Sequence, residues 1–193
     1  MKLVAITGSI GCGKTTLAGI VRQLGYEVFD VDEWVRNIYQ DERFLQELNK
    51  LFKGCVKDGV ADKKYLRTIV FDDKEKLKKL EDLIYPILTK MIEEEINKRS
   101  KSKEICFLDI ALLYEKGWNK YCDFVILADV AYDIQKRRVM ERDNVTAESF
   151  EKINNQQMSN EEKKKLADMV INTDKSVDDL KKEMIKIIKK LEQ

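Results

Sequence analysis

Residues Gly8-Ser9-Ile10-Gly11-Cys12-Gly13-Lys14-Thr15 spell G-x-x-x-x-G-K-[ST] in full, and a short apolar run, Leu3-Val4-Ala5-Ile6, leads into them. A polyphosphate chain must be wrapped by several backbone N–H groups at once. Glycine is therefore needed where a Cβ would block the approach or where φ must be positive, the roles expected of Gly8, Gly11 and Gly13. Lys14 is expected to reach the β- and γ-phosphates, and the Thr15 hydroxyl to ligate Mg²⁺. The helix that follows lends its N-terminal N–H groups and dipole. A nucleoside triphosphate with magnesium is the implied ligand. Cys12 stands beside a helix start, where a thiolate can be stabilised, yet any small residue would fit its place in the loop.

Other residues could serve the same chemistry. Asp109 ends the run Ile105-Cys106-Phe107-Leu108 and is a candidate to hold Mg²⁺ through water. Asp30-Val31-Asp32 is expected to close a second strand with both carboxylates on one face, at the end of a parallel sheet where ligands bind. Asp32 could then accept the proton of an acceptor hydroxyl, or it could cap a helix starting at Glu33; both readings stay open. Arg138 and Arg142 lie one helical turn apart and could neutralise a departing γ-phosphoryl group, although on their own they would suit a solvated helix. The phosphate loop tips that choice toward chemistry. With no histidine in the chain, imidazole acid–base catalysis, Ser-His-Asp triads and His-ligated metals are excluded. A guanine-reading N-K-x-D and a D-x-x-G switch are also missing; Asn119-Lys120-Tyr121-Cys122-Asp123 has one residue too many and precedes its strand.

The elements that must carry these groups read as α/β. Apolar runs recur at Leu3–Ile6, Val28-Phe29, Ile105–Leu108, Phe124–Leu127 and Met169-Val170-Ile171, mostly with helical stretches between them. That alternation predicts a five-stranded parallel sheet flanked by helices. Residues 33–104 break it and read as a helical insertion, in which Leu77, Leu80, Ile84, Ile87 and Met91 form one apolar stripe and Pro86 is expected to kink or restart the helix. Val177, Leu180, Met184, Ile187 and Leu191 make a similar stripe expected to pack on the sheet, and Glu161-Glu162-Lys163-Lys164-Lys165 is expected to be a solvated face. A chain of 193 residues, 44% hydrophobic, supports one core domain with an inserted lobe. Its formal charge of +1 argues against nucleic acid or an anionic membrane as partner, and no apolar run is long enough to span a bilayer. Cys12, Cys55, Cys106 and Cys122 show no metal or disulfide spacing, so a cytoplasmic protein is expected, with a monomer as the default.

The order of phosphate loop, paired aspartates and arginine helix resembles the dephospho-coenzyme A kinase family from about Leu3 to Leu191. Ile6 to Thr16 is similar to the family's form of the loop, and Asp30-Val31-Asp32 with Arg36 resembles its D-x-D-x-x-x-R. Glu115 matches a segment after the third core strand, Arg138-x-x-x-Arg142-Asp143 resembles the lid signature, and Ile171-Asn172 resembles a strand end beside the adenine. The resemblance implies a P-loop fold with a core of 1–32, 105–137 and 167–193, an acceptor domain of 33–104 and a lid of 138–166. It further implies transfer of the γ-phosphoryl of ATP to the ribose 3′-hydroxyl of dephospho-CoA. Asp32 would be the base, with Lys14, Arg138 and Arg142 at the migrating charge and Asp32, Arg36, Lys63, Tyr85 and Glu115 toward the acceptor. The nucleotide would meet Gly8, Gly11, Cys12, Gly13, Lys14, Thr15, Thr16 and Asn172. Three positions depart from the family pattern: Tyr85 replaces histidine, Ala111 proline, and Lys63 arginine. Apart from the resemblance, a nucleoside monophosphate kinase or an ATP-dependent regulator would use the same loop.

Overall fold

A computed structural model describes residues 1–71, 73–99 and 104–193. Two compact units emerge, one of Met1–Asp30 with Arg99–Gln193, the other Val31–Lys98.

The first unit is built on strands β1 (Lys2–Thr7), β2 (Glu27–Asp30), β5 (Ile105–Asp109), β6 (Phe124–Asp129) and β7 (Met169–Asn172), all parallel in the order β2-β5-β1-β6-β7. β1 lies at the centre, and Leu3 to Thr7 are all buried, as a continuous apolar run covered on both faces requires. Helices α1 (Lys14–Gln23) and α9 (Val177–Leu191) pack on each other and share one core with the sheet: Leu17, Ile20 and Val21 of α1 and Leu180, Met184, Ile187 and Ile188 of α9 join Val4, Ile6, Phe107 and Ile126. Ser176 caps α9 by accepting from the Asp179 N–H. Val177, counted in the expected stripe, is exposed as the first residue of that helix.

Parallel pairing brings the carboxyl ends of the strands into a row. Asp109 stands opposite both Ile6 of β1 and Asp30 of β2, and Asp129 opposite Asn172. The phosphate loop and helix α6 (Tyr132–Asp143) follow the ends of β1 and β6, α7 (Ala147–Asn154) packs on α6, and α8 (Asn160–Lys164), opened by a capping box between Ser159 and Glu162, contacts β6. Residues 138–166, the expected lid, run through the second half of α6 and all of α7 and α8.

In the second unit α2 (Val31–Ile38), α3 (Glu42–Leu51) and α4 (Lys63–Val70) all contact α5 (Lys74–Lys98). The buried line of α5 is Leu80, Ile84, Leu88 and Ile92, with Leu77, Ile87 and Met91 half-buried beside it. Asp41 and Asp62 cap α3 and α4 by accepting from Phe44 N and Tyr65 N. Three sequence expectations change here. β2 ends at Asp30 and α2 begins at once at Val31, so Asp32 lies in a first helical turn and neither extends a strand nor caps a helix at Glu33. α5 continues through Pro86 without restarting. The insertion also holds a hairpin of β3 (Val56–Lys57) and β4 (Val60–Ala61), whose turn residues Asp58 and Gly59 both have positive φ.

Pro86 is exposed in α5 and leaves one i→i−4 bond unmade. Pro86→Ala is expected to raise stability by about 1–3 kcal/mol, read as a higher urea midpoint at unchanged slope.

Candidate active site

The loop's shape is set by what its glycines approach. At Gly11 (φ +77°) a Cβ would fall 2.5 Å from Val139 Cγ2, and at Gly13 (φ +84°) 2.9 Å from the Cβ and Oγ1 of Thr173. Both positions combine a left-handed backbone with no room for a side chain. Gly13 also precedes the first residue of α1, and its carbonyl takes the Thr16 and Leu17 N–H groups. Among the described residues the N–H groups of Gly11, Gly13, Lys14 and Thr15 have no protein acceptor. Four donors thus remain at the head of a helix, where an anion is favoured by both hydrogen bonding and the dipole.

The rest of the loop is pinned. Ile10 N donates to Gln157 Oε1 at 2.9 Å, and Ser9 donates to Asn160 Oδ1 from N at 3.2 Å and from Oγ at 2.9 Å. Ile10 O accepts from Gln135 Nε2 at 2.7 Å, and Cys12 O accepts from Thr173 Oγ1 at 2.9 Å. Cys12 is fully buried, and that burial pushes its thiol up to about 11. It is a small apolar filler at neutral pH, not a thiolate. A folded-state value above the ordinary thiol value of 9.0 favours the fold while the thiol is protonated in both states. This contribution is lost as pH climbs from 9 through 11.

Charges gather from several strand ends. Lys14 Nζ pairs with Asp109, a carboxylate only 3% exposed. Arg138 donates from α6 to Thr173 Oγ1 at 3.0 Å and Thr173 O at 3.1 Å, which ties it to the segment that touches Gly13. Arg142, one turn on, is exposed and forms a bidentate pair with its neighbour Asp143 at 2.7 Å. Arg138 therefore joins the loop's surroundings through Thr173, whereas Arg142 is held by Asp143. Asn172 is exposed at the end of β7, its Oδ1 accepting from Asp174 N at 2.8 Å.

Glu115, expected among the acceptor contacts, is committed inside its own unit: Oε1 accepts from Met158 N at 2.8 Å and pairs with Lys163 at 3.0 Å. Lys163 is the largest correction to the sequence reading, since it stands in a charge run expected to be solvated and is 0% exposed. Its ammonium also donates to Ala111 O at 2.9 Å. Gln135, Asn154, Asn160, Lys163 and Thr173 bond in or around the loop, and sequence reading singled out none of them as a site residue.

In the second unit, Asp32 is exposed in the first turn of α2 and has no hydrogen-bond or ion-pair partner among the described residues. Arg36 is exposed one turn along the same helix. Lys63 Nζ lies 4.8 Å from the centroid of the Tyr39 ring, a cation–π contact that holds the ammonium at the start of α4. Tyr85 donates its hydroxyl to Glu81 Oε1 at 3.0 Å, one turn back on α5.

A magnesium ion fits this donor set as a passenger on the nucleotide. Thr15 and Thr16 are exposed with no hydrogen-bond partner for their hydroxyls among the described residues, and no cluster of three or more acidic or sulfur side chains is placed to cage a metal there. Mg²⁺ typically keeps waters and phosphate oxygens and takes only one or two protein ligands.

A phosphate grip at the head of the helix after the central strand of such a sheet is the arrangement of the P-loop fold. A shikimate kinase from Acinetobacter baumannii shares this fold at a TM-score of 0.55 and 14% identity. The family model described as dephospho-CoA kinase matches residues 2–179. Dephospho-CoA kinases of Bartonella quintana and Aquifex aeolicus are 36% and 38% identical over 192 and 194 residues, each alignment covering 99% of this chain and 98% of the relative. The crystal structure of TT1252 from Thermus thermophilus superposes with a TM-score of 0.85 at 33% identity, over 98% of this chain and 97% of that one. The chain belongs to the dephospho-CoA kinase family.

Two outcomes follow from the loop geometry. Gly13→Ala should abolish nucleotide binding in a fluorescent-ADP titration while leaving far-UV circular dichroism unchanged. Iodoacetamide at pH 8 should spare Cys12 in the folded protein and modify it in urea, checked by peptide mass mapping.

Proposed function

We propose that this chain transfers the γ-phosphoryl group of ATP to the ribose 3′-hydroxyl of dephospho-CoA, giving CoA and ADP, the last step of CoA synthesis. The observation that carries this reading is the set of four open N–H donors from Gly11 to Thr15 beside the Lys14 ammonium, in a chain that matches the dephospho-CoA kinase family over residues 2–179. The loop residues Gly8, Gly11, Cys12, Gly13, Lys14, Thr15 and Thr16 take the phosphates, and Asn172 lies toward the adenine. Lys14 leaves Asp109 for the β- and γ-oxygens, and Arg138 with Arg142 meets the charge of the migrating group. Mg²⁺, held by Thr15 and through water by Asp109, would neutralise the phosphate oxygens when bound with ATP.

The acceptor falls to Asp32, Arg36, Lys63 and Tyr85, while Glu115 serves to hold Lys163. The 3′-oxygen forms a bond to the γ-phosphorus as the bond to the ADP oxygen breaks, and the hydroxyl proton passes to Asp32 and then to solvent. Because phosphoryl transfer goes through a loose transition state in most analyses, the attacking oxygen needs little anionic character. Asp32 therefore acts chiefly by alignment. An exposed carboxylate with no competing partner suits that task. Tyr85 offers the acceptor a neutral ring and hydroxyl where the family pattern has histidine, so the phosphate charge falls to Arg36 and Lys63. The same reading has a monomer working in the cytoplasm, where the free thiols Cys12, Cys55, Cys106 and Cys122 stay reduced. Among the described residues no helix is long and apolar enough to cross a membrane.

The deciding assay incubates the protein with Mg-ATP and dephospho-CoA, AMP, UMP or TMP and follows ADP release. Stimulation by dephospho-CoA alone is expected; stimulation by a monophosphate instead would make it a nucleotide kinase, and by none a regulator. Asp32→Asn should lower kcat by about 10²- to 10⁴-fold with ATP binding intact. Near-normal turnover in that variant would remove Asp32 from the role.

A further inference from the structure

α8 and the residues just before it reach several strand ends at once. Gln157 and Asn160 serve the Ser9 and Ile10 donors in the loop after β1. Asn160 Nδ2 donates to Asp129 Oδ1, at the end of β6, at 2.8 Å, and the other Asp129 oxygen pairs with Lys164 at 3.0 Å. Lys163, with no exposed surface, pairs with Glu115 and donates to Ala111 O, in the segment after β5. One short segment is thereby bonded beyond three neighbouring strands, β5, β1 and β6, in the unit that carries the phosphate loop.

The chemistry of these bonds is selective. Each amide oxygen occupies a donor in the first half of the loop, and none touches the open donors of Gly11, Gly13, Lys14 and Thr15. A free loop could turn any of its N–H groups inward; this one has its Ser9 and Ile10 donors satisfied by side chains and those of Gly11, Gly13, Lys14 and Thr15 left over. A buried ion pair such as Lys163–Glu115 is a weak source of net stability compared with apolar side chains of the same size, although breaking one half of it is costly. Its worth here lies in where it holds α8.

We propose that Gln157, Asn160 and Lys163 are positioning residues for ATP: a clip that holds the phosphate loop in its binding shape before the nucleotide arrives. The clip touches neither phosphate nor acceptor. It acts by sparing the nucleotide the cost of ordering the loop, so its loss shows in nucleotide affinity. This inference rests on the assignment of the loop to ATP, but its test does not depend on which acceptor is phosphorylated.

The test measures binding of ADP and ATP to the purified full chain by titration calorimetry, with KM for each substrate alongside. Gln157→Met keeps the length and removes the acceptor for Ile10 N–H; Asn160→Ala removes the acceptor for Ser9 and the link to Asp129. Each is expected to weaken nucleotide binding about ten-fold or more and to raise KM for ATP in parallel, with KM for dephospho-CoA within two-fold of wild type. Both side chains are only half-buried, and the variants are compared at equal folded fraction from thermal melts. Asn160→Asp alone sets two carboxylates against each other and should bind nucleotide poorly. Combined with Asp129→Asn, it exchanges amide and carboxylate, remakes the link and should recover most of the lost affinity. Wild-type nucleotide affinity in both Gln157→Met and Asn160→Ala would overturn the proposal, as would failure of the exchanged pair to recover any binding. Failure of the functional reading would look different, since wild type would then bind nucleotide yet release no ADP with dephospho-CoA.

Discussion

A neutral backbone can grip a multiply charged anion only if several N–H groups point the same way with nothing else to bond to, and a chain resists leaving donors in that state. An unpaired donor taken from water costs about 1–3 kcal/mol. The loop between β1 and α1 meets this constraint by partition. Its early donors and carbonyls are taken by Gln157, Asn160, Gln135 and Thr173, and its later donors lie at a helix head on residues that are half-buried or exposed, open to water until phosphate replaces it. Gly11 and Gly13 serve the partition, since Val139 and Thr173 press against the loop where any Cβ would stand.

The charges around the loop follow the same logic. With no histidine in the chain and the Cys12 thiol pushed up to about 11, neither imidazole nor this thiol changes charge near neutral pH. The charged side chains that bear on the loop are lysine, arginine and aspartate. Lys14 is kept beside the loop by Asp109; on the proposed function it would give up this carboxylate for phosphate, an exchange of one anion for another that avoids burying a lone ammonium. Arg138 is fastened to Thr173, which also holds the Cys12 carbonyl, so one β7-end residue sets both a loop carbonyl and a cation.

How much of this was legible depended on whether the signal was local. The five strand runs and the motif between β1 and α1 are local, and each lies where its own residues indicate. The Asp58-Gly59 hairpin does not follow from the apolar pattern, because two-residue strands are too brief to register as periodicity; the only local signal for it is the Asp-Gly pair itself. At Asp32 the sequence is ambiguous, because alternation and a helical first turn look alike over three residues; Val31 opens α2 and does not extend β2. Pro86 sits in an exposed position of a helix whose Leu80, Ile84, Leu88 and Ile92 are buried, and tertiary packing outweighs one missing bond. Lys163 could not have been read. Nothing in Glu161-Glu162-Lys163-Lys164-Lys165 separates the buried lysine from its solvated neighbours, because its partners, Glu115 and Ala111, lie about 50 residues away in the chain.

The fold alone does not specify the acceptor. Kinases of different acceptors share the fold at 14% identity, as the shikimate kinase comparison shows, so acceptor choice has to be carried by particular side chains. The side chains proposed here for the acceptor are held differently from the loop. Lys63 is steadied over the Tyr39 ring, and Tyr85 is turned to Glu81 on its own helix. Asp32 and Arg36 stand exposed on one helix four residues apart, one acidic and one basic, with the acid in the first turn where the helix dipole favours it and the base in the last. That helix thus places a carboxylate and a guanidinium at a spacing fixed by backbone geometry. An acceptor bearing both a hydroxyl and a phosphate on one rigid ribonucleotide can use the two together, whereas an acceptor with only one of these groups gains half of what the helix offers.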